Sequence, residues 1–180
     1  CIVGTGYVGL SVGACFADLG HTVTCLDIDE SKVEGLREGR VPIYEPGLTS
    51  LVQRNVTAGR LTFSSNYTTS VPNREFVFIA VDTPTGAAGE ANLSAVESAA
   101  ISLASSLTPE TIIVTKSTVP IGTGDLITRL VHEHRSDSDQ FPVVSNPEFQ
   151  REGTAVQDFL HPDRVVIGST DKIAANRLAE

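Results

Sequence analysis

Cys1-Ile-Val-Gly4-Thr-Gly6-Tyr7-Val8-Gly9 reads as a short apolar strand, a Gly-x-Gly-x-x-Gly turn and the start of a helix, and this reading decides the fold. In that context Gly4 permits a tight turn, Gly6 lets the backbone approach a pyrophosphate, and Gly9 lets helix and strand pack closely. The pyrophosphate would rest on the helix N-terminus, where unpaired N–H groups and the helix dipole favour negative charge. A glycine pattern alone is weak. Asp27 strengthens it: it lies eighteen residues past Gly9, at the carboxyl end of the next predicted strand. An acidic side chain there accepts hydrogen bonds from an adenosine ribose and repels a 2′-phosphate, which points to NAD rather than NADP.

Beyond this turn, short Val- and Ile-rich runs alternate with longer segments of helical spacing, the pattern of βαβ units around a parallel sheet. Strands are predicted at 1–3, 22–27, 61–63, 76–81, 111–116, 142–145 and 164–168. Helices are predicted at 7–19, 30–38, 47–58, 93–106, 122–134 and 172–180, three of them stopped by Gly20, Gly39 and Gly59. The expected fold is α/β, a doubly wound parallel sheet of Rossmann type, forming a single domain over residues 1–180. Only three residues precede Gly4 and the chain has no methionine, whereas a strand usually has about 5–6 residues. The chain is therefore expected to be a fragment of a larger protein, cut inside its first strand and again inside its last helix.

Composition excludes other classes. With 13 basic against 22 acidic residues and a net charge of −9, a groove tracking phosphate backbones is disfavoured, so nucleic acid is not an expected partner. No window approaches the roughly 20 apolar residues that span a bilayer, and no basic-then-apolar leader opens the chain. A cytoplasmic protein with no membrane partner is expected. Cys1, Cys15 and Cys25 form no CxxC pair and read as reduced thiols. The four histidines have no metal-ligand spacing, so no metal is expected.

Three unusual loops follow the fourth, fifth and sixth predicted strands: Asp82-Thr83-Pro84-Thr85, Ser117-Thr118-Val119-Pro120 and Asn146-Pro147-Glu148-Phe149. Each alone is ordinary turn chemistry. In an open parallel sheet, however, they converge with the glycine turn on one edge, where ligands bind. Glu148 and Glu152 are four apart, and a helical turn after Pro147 would set them on one face. One carboxylate would then serve as general base or water activator while the other holds a hydroxyl. The competing reading is a solvated acidic helix start, favoured by the dipole. Thr118 is placed to bond a catalytic water or the nicotinamide amide.

With these residues in place, the sequence resembles the UDP-glucose/GDP-mannose dehydrogenase family in its N-terminal, NAD-binding domain. The resemblance spans essentially all 180 residues and rests on six segments in order: Gly4–Gly9, Leu26–Val33, Ile43-Tyr-Glu-Pro-Gly-Leu48, Val81–Thr85, Lys116–Pro120, and Ser145–Phe149 followed by Arg151-Glu-Gly153. Among the family's activities, the oxidation of UDP-glucose to UDP-glucuronate is the nearest; relatives that act on UDP-N-acetylmannosamine, UDP-N-acetylglucosamine or GDP-mannose share the Ile43–Leu48 loop. The resemblance implies two NAD-dependent hydride transfers, through an aldehyde and a covalent thioester. It implies NAD contacts from Gly4, Gly6, Tyr7, Val8, Gly9, Asp27, Lys32, Val81, Thr83, Pro84, Thr85, Ser117, Thr118, Val119 and Glu152. It makes Glu148 the general acid/base and Thr118 a positioner of the hydrolytic water, gives Glu152 a share in catalysis, and lines the nucleotide sugar with Glu148, Phe149, Gln150, Arg151 and Glu152. Where this chain has Gln150, the family usually has Leu. The family's nucleophilic cysteine and its partners lie beyond residue 180, as does the helix that builds its homo-oligomer, so the isolated fragment is expected to be inactive. A β-hydroxyacid dehydrogenase of the 6-phosphogluconate type leaves Ile43–Leu48 and Asn146–Gly153 without a reason, and a non-catalytic NAD-binding module is the alternative outside enzymes.

Overall fold

Six of the seven predicted apolar runs pair into one parallel sheet in the computed structural model, which describes all 180 residues. They are β1 (Ile2–Val3), β2 (Val23–Leu26), β3 (Leu61–Ser64), β4 (Phe76–Ile79), β5 (Ile112–Thr115) and β6 (Val143–Ser145), in the order β3-β2-β1-β4-β5-β6. Every neighbouring pair is parallel. This is the dinucleotide-binding order, and the direction of winding reverses between β1 and β4, which opens a crevice at their carboxyl ends.

The strands are apolar on consecutive positions because helices cover both faces of the sheet. All four residues of β2 and of β5 are buried. In β1, Ile2 joins one core cluster and its neighbour Val3 the other, as the two-residue period of a strand requires. The first cluster packs α1 (Tyr7–Asp18) and α3 (Leu48–Thr57) on one face, through residues such as Leu10, Leu48 and Leu51. The second packs α5 (Ser94–Ala104) and α6 (Thr123–Glu133) on the other, through Leu103, Ile127 and Val131. α2 (Glu30–Arg37) and α8 (Lys172–Ala179) start at Asp29 and Asp171, whose carboxylates accept from the first-turn amides. Two further helices, α4 (Tyr67–Ser70) and α7 (Ala155–Leu160), are too short to show a helical period in the sequence.

The seventh predicted strand, 164–168, does not form. Only Gly168 bridges Ser145, antiparallel, through two backbone hydrogen bonds of 2.7 and 2.8 Å. Val165 and Val166 are 63% and 41% exposed, so this run has no covering layer to reward full pairing, and the Val166 carbonyl is taken instead by the Asn146 side chain at 2.9 Å.

The three cysteines are free. Cys25 lies where a Cβ on Gly13 would fall, so it fills the contact between α1 and β2. Burial pushes the Cys15 and Cys25 thiols up to about 12, which removes both as nucleophiles.

Candidate active site at the carboxyl edge of the sheet

The glycine turn contains two kinds of glycine. A Cβ on Gly4 (φ +99°) would sit 2.6 Å from the Ala80 carbonyl oxygen, and one on Gly9 would collide with the Gly4 carbonyl. The protein's own backbone requires both. A Cβ on Gly6 would meet nothing closer than an Asp82 carboxylate oxygen at 3.4 Å, so the fold leaves open the space that a phosphate needs. Gly6 caps α1 without a side-chain hydrogen bond, and no acidic residue occupies the first turn. The amides of that turn are left free to receive an anion, where the sequence reading expects a pyrophosphate.

Asp27 follows β2 and borders a 240 Å³ groove lined in part by Val3, Gly4, Leu26, Tyr67 and Val81. Its Oδ2 accepts from the Thr5 amide and hydroxyl and from Lys32 Nζ at 2.9 Å, while Oδ1 accepts only from the Asp29 amide at 3.1 Å. Oδ1 therefore keeps capacity for a hydroxyl from outside. Burial alone would raise this carboxyl, but the bonds from Thr5 and Lys32, with the two backbone amides, outweigh it and hold it at about 2. The depressed value contributes stability above the ordinary carboxyl range and loses it as pH falls through about 2. Asp27→Asn is expected to lower unfolding free energy by about 2 kcal/mol at neutral pH, with the two proteins converging near pH 2 in urea titrations. A constant difference across that range would show that the charge is not responsible.

The next two loops are tied together. Ser117 Oγ donates to the Val81 carbonyl at 2.6 Å, and Thr83 Oγ1 donates to the Thr118 carbonyl at 2.9 Å. Pro84, Thr85 and the Thr118 side chain remain exposed on this edge and Val119 half-buried.

The segment after β6 departs from the expected geometry. No helical turn follows Pro147, and α7 begins only at Ala155. Instead, Glu148 Oε1 accepts from the amides of Phe149 and Gln150 at 2.7 and 2.8 Å, closing a tight turn on its own side chain. Glu148 and Glu152 thus do not share a helix face: the Glu148 side chain is 12% exposed, whereas Glu152 is exposed. Phe149 is 58% exposed, and Arg151 is drawn to Asp158, whose carboxyl it holds well below the usual range. The Gln150 amide is buried with neither its oxygen nor its nitrogen partnered.

Lys116 and Asn146 stand in two of the quoted motifs, yet their spacing assigned them no role. Lys116 Nζ lies 3.1 Å from Glu148 Oε2 and 3.0 Å from Asn146 Oδ1, and its side chain is 10% exposed. The approach to Oε2 is that of an ion pair rather than an aligned hydrogen bond. Such a pair fixes a carboxylate strongly, since removing one partner leaves a buried charge uncompensated. Glu45 stands in a third quoted motif, Ile43–Leu48, also without an assigned role; it is 4% exposed, in a loop where acids are ordinarily solvated.

Comparison with known proteins identifies the family. UDP-glucose 6-dehydrogenase of Rhizobium meliloti is 52% identical over 168 residues, 93% of this chain and 38% of that protein. UDP-glucose 6-dehydrogenase YwqF of Bacillus subtilis is 46% identical over 179 residues, 99% of this chain and 41% of that protein. A solved UDP-glucose dehydrogenase from the hyperthermophilic archaeon Pyrobaculum islandicum superposes with a TM-score of 0.93 at 44% identity, covering 98% of this chain and 42% of that one. The chain thus spans about two fifths of the length of these relatives. The family described as "UDP-glucose/GDP-mannose dehydrogenase family, NAD binding domain" matches residues 1–180. The chain belongs to the UDP-glucose/GDP-mannose dehydrogenase family, of which it is the NAD binding domain.

Proposed function

We propose that the full-length protein carrying this domain oxidises UDP-glucose to UDP-glucuronate, and that these 180 residues hold the cofactor and supply one side of the active site. The observation that carries the chemical part is the meeting, on one sheet edge, of an open glycine turn and a carboxylate fixed by two amides and a lysine. For the sugar, support comes from relatives at 46% and 52% identity that are UDP-glucose 6-dehydrogenases.

NAD, when bound, supplies the hydride acceptor for both oxidations. Gly4, Gly6, Tyr7, Val8 and Gly9 cradle its pyrophosphate on the start of α1. Asp27 accepts from the adenosine ribose through Oδ1, with Lys32 beside it. Val81, Thr83, Pro84, Thr85, Ser117 and Val119 form the wall on the nicotinamide side. Glu148 takes the general acid/base role: its Oε1 is occupied by two amides, so Oε2 is the oxygen that moves a proton or orders a water. Thr118, exposed on the same edge of the sheet, places that water. Glu152 reaches both cofactor and sugar, and Phe149, Gln150 and Arg151 line the sugar. The nucleophile is not one of Cys1, Cys15 and Cys25, which sit in or beside the first strand, the first helix and the second strand.

The test uses the full-length protein with UDP-glucose, UDP-N-acetylglucosamine, UDP-N-acetylmannosamine and GDP-mannose, following NADH by absorbance. Two NADH per UDP-glucose, and a kcat/KM for it at least about tenfold above the others, is the expected result. Preference for another sugar removes the substrate assignment while leaving the NAD site in place.

A further inference from the structure

Three segments far apart in the chain meet at one buried carboxylate. Glu45 lies in the loop before α3, and its Oε2 accepts from Tyr7 Oη and from the Gly153 amide, the latter at 2.8 Å. The same amide reaches Tyr7 Oη at 2.8 Å, which closes a triangle. Burial, with the bond to Glu45, raises the Tyr7 phenol above its ordinary value, consistent with a hydroxyl that donates. Glu45 Oε1 is buried and receives no donor.

Packing does not demand this arrangement. Val41 and Ile43, from the same loop, already pack against the core, and an apolar side chain at position 45 would be buried at lower cost than a carboxylate with a bare oxygen. What the carboxylate provides is a directed attachment. Tyr7 is the first residue of α1, directly after Gly6. Gly153 lies near the end of the loop that begins with Glu148, at a φ of +90° that favours glycine, and its amide donates to Glu45 and Tyr7. At the far end of α7, Phe159 packs edge-on against Phe16 of α1, with ring centroids 5.0 Å apart. α7 is thus anchored to α1 by aromatic packing, and the loop ahead of it by Glu45.

We propose that Glu45 is a positioning residue: by holding Tyr7 and the Gly153 amide together, it fixes the loop bearing Glu148 and Glu152 to the helix start that receives the pyrophosphate. Cofactor binding and the placement of the Glu148 carboxylate are then mechanically linked. This rests on the reading of the carboxyl edge as an NAD site.

The test compares Glu45→Gln and Tyr7→Phe with the unsubstituted full-length protein, reading steady-state kinetics and hydrogen exchange of the amides of residues 149–154 with and without NAD. In the unsubstituted protein NAD is expected to slow that exchange. In either variant the slowing is lost and kcat falls about 100-fold, as for a catalytic group displaced by about an ångström. The double variant is no worse than the single ones, because the contacts form one unit. A merely structural role would lower Tm but leave the NAD-dependent protection and kcat in place, and that result overturns the inference. If Glu45→Gln fails to fold, Tyr7→Phe, which removes one hydroxyl, decides by itself. An unsubstituted protein that does not bind NAD by calorimetry overturns the NAD reading and this inference with it; one that binds NAD without slowed exchange, or a responding protein with indifferent variants, overturns the inference alone.

Discussion

Glu148→Gln in the full-length protein is expected to lower kcat by about 10³-fold, within the range for loss of a general acid/base, while the NAD dissociation constant changes by less than about threefold. The split follows from the contacts. Glu148 bonds only to amides of its own loop and pairs with Lys116, so nothing that builds the glycine turn or the Asp27 groove depends on it. Glutamine preserves the shape, and its side-chain oxygen can still accept from the Phe149 and Gln150 amides. It cannot take up or release a proton in the same way. Lys116 keeps Asn146 Oδ1 as a partner, which limits the cost of losing the ion pair. Stopped-flow measurement of hydride transfer beside equilibrium NAD binding separates the two effects. A kcat within about tenfold of the unsubstituted enzyme would remove Glu148 from the chemistry.

Gly6→Val is expected to leave the fold intact and to weaken NAD binding by at least about 100-fold. Charge-assisted hydrogen bonds to a phosphate are worth roughly 1.5–3 kcal/mol each, and a side chain at this turn displaces the phosphate from more than one amide. The structure separates this position from its neighbours. At Gly4 and Gly9 a side chain would strike backbone of the protein itself, whereas at Gly6 the first carbon is accommodated at 3.4 Å from Asp82. A Tm within a few degrees of the unsubstituted protein, combined with lost binding by calorimetry, is the expected signature. Tight NAD binding by Gly6→Val would place the pyrophosphate elsewhere.

Much of the fold was legible because it is written locally. Consecutive apolar residues at 23–26 and 112–115 announced strands covered on both faces, and glycines at 20, 39 and 59 announced helix ends, which all adopt positive φ. The run at 164–168 was misread because apolar composition reports a tendency to pair and not whether a layer covers the pair. The helical face assigned to Glu148 and Glu152 failed for a related reason. Their spacing matched a helix, but the Glu148 carboxylate competes for the first amides after Pro147 and takes two of them.

The sequence by itself determined the sheet class and the glycine turn followed by Asp27 at the end of the next strand, because each depends on neighbours within one βαβ unit. Tertiary structure alone decided that Lys116 and Asn146 hold Glu148, and that Tyr7, Glu45 and Gly153 form one attachment. Those contacts join residues 30 to 146 positions apart, where no periodicity links them and only the folding of the sheet brings the charges together.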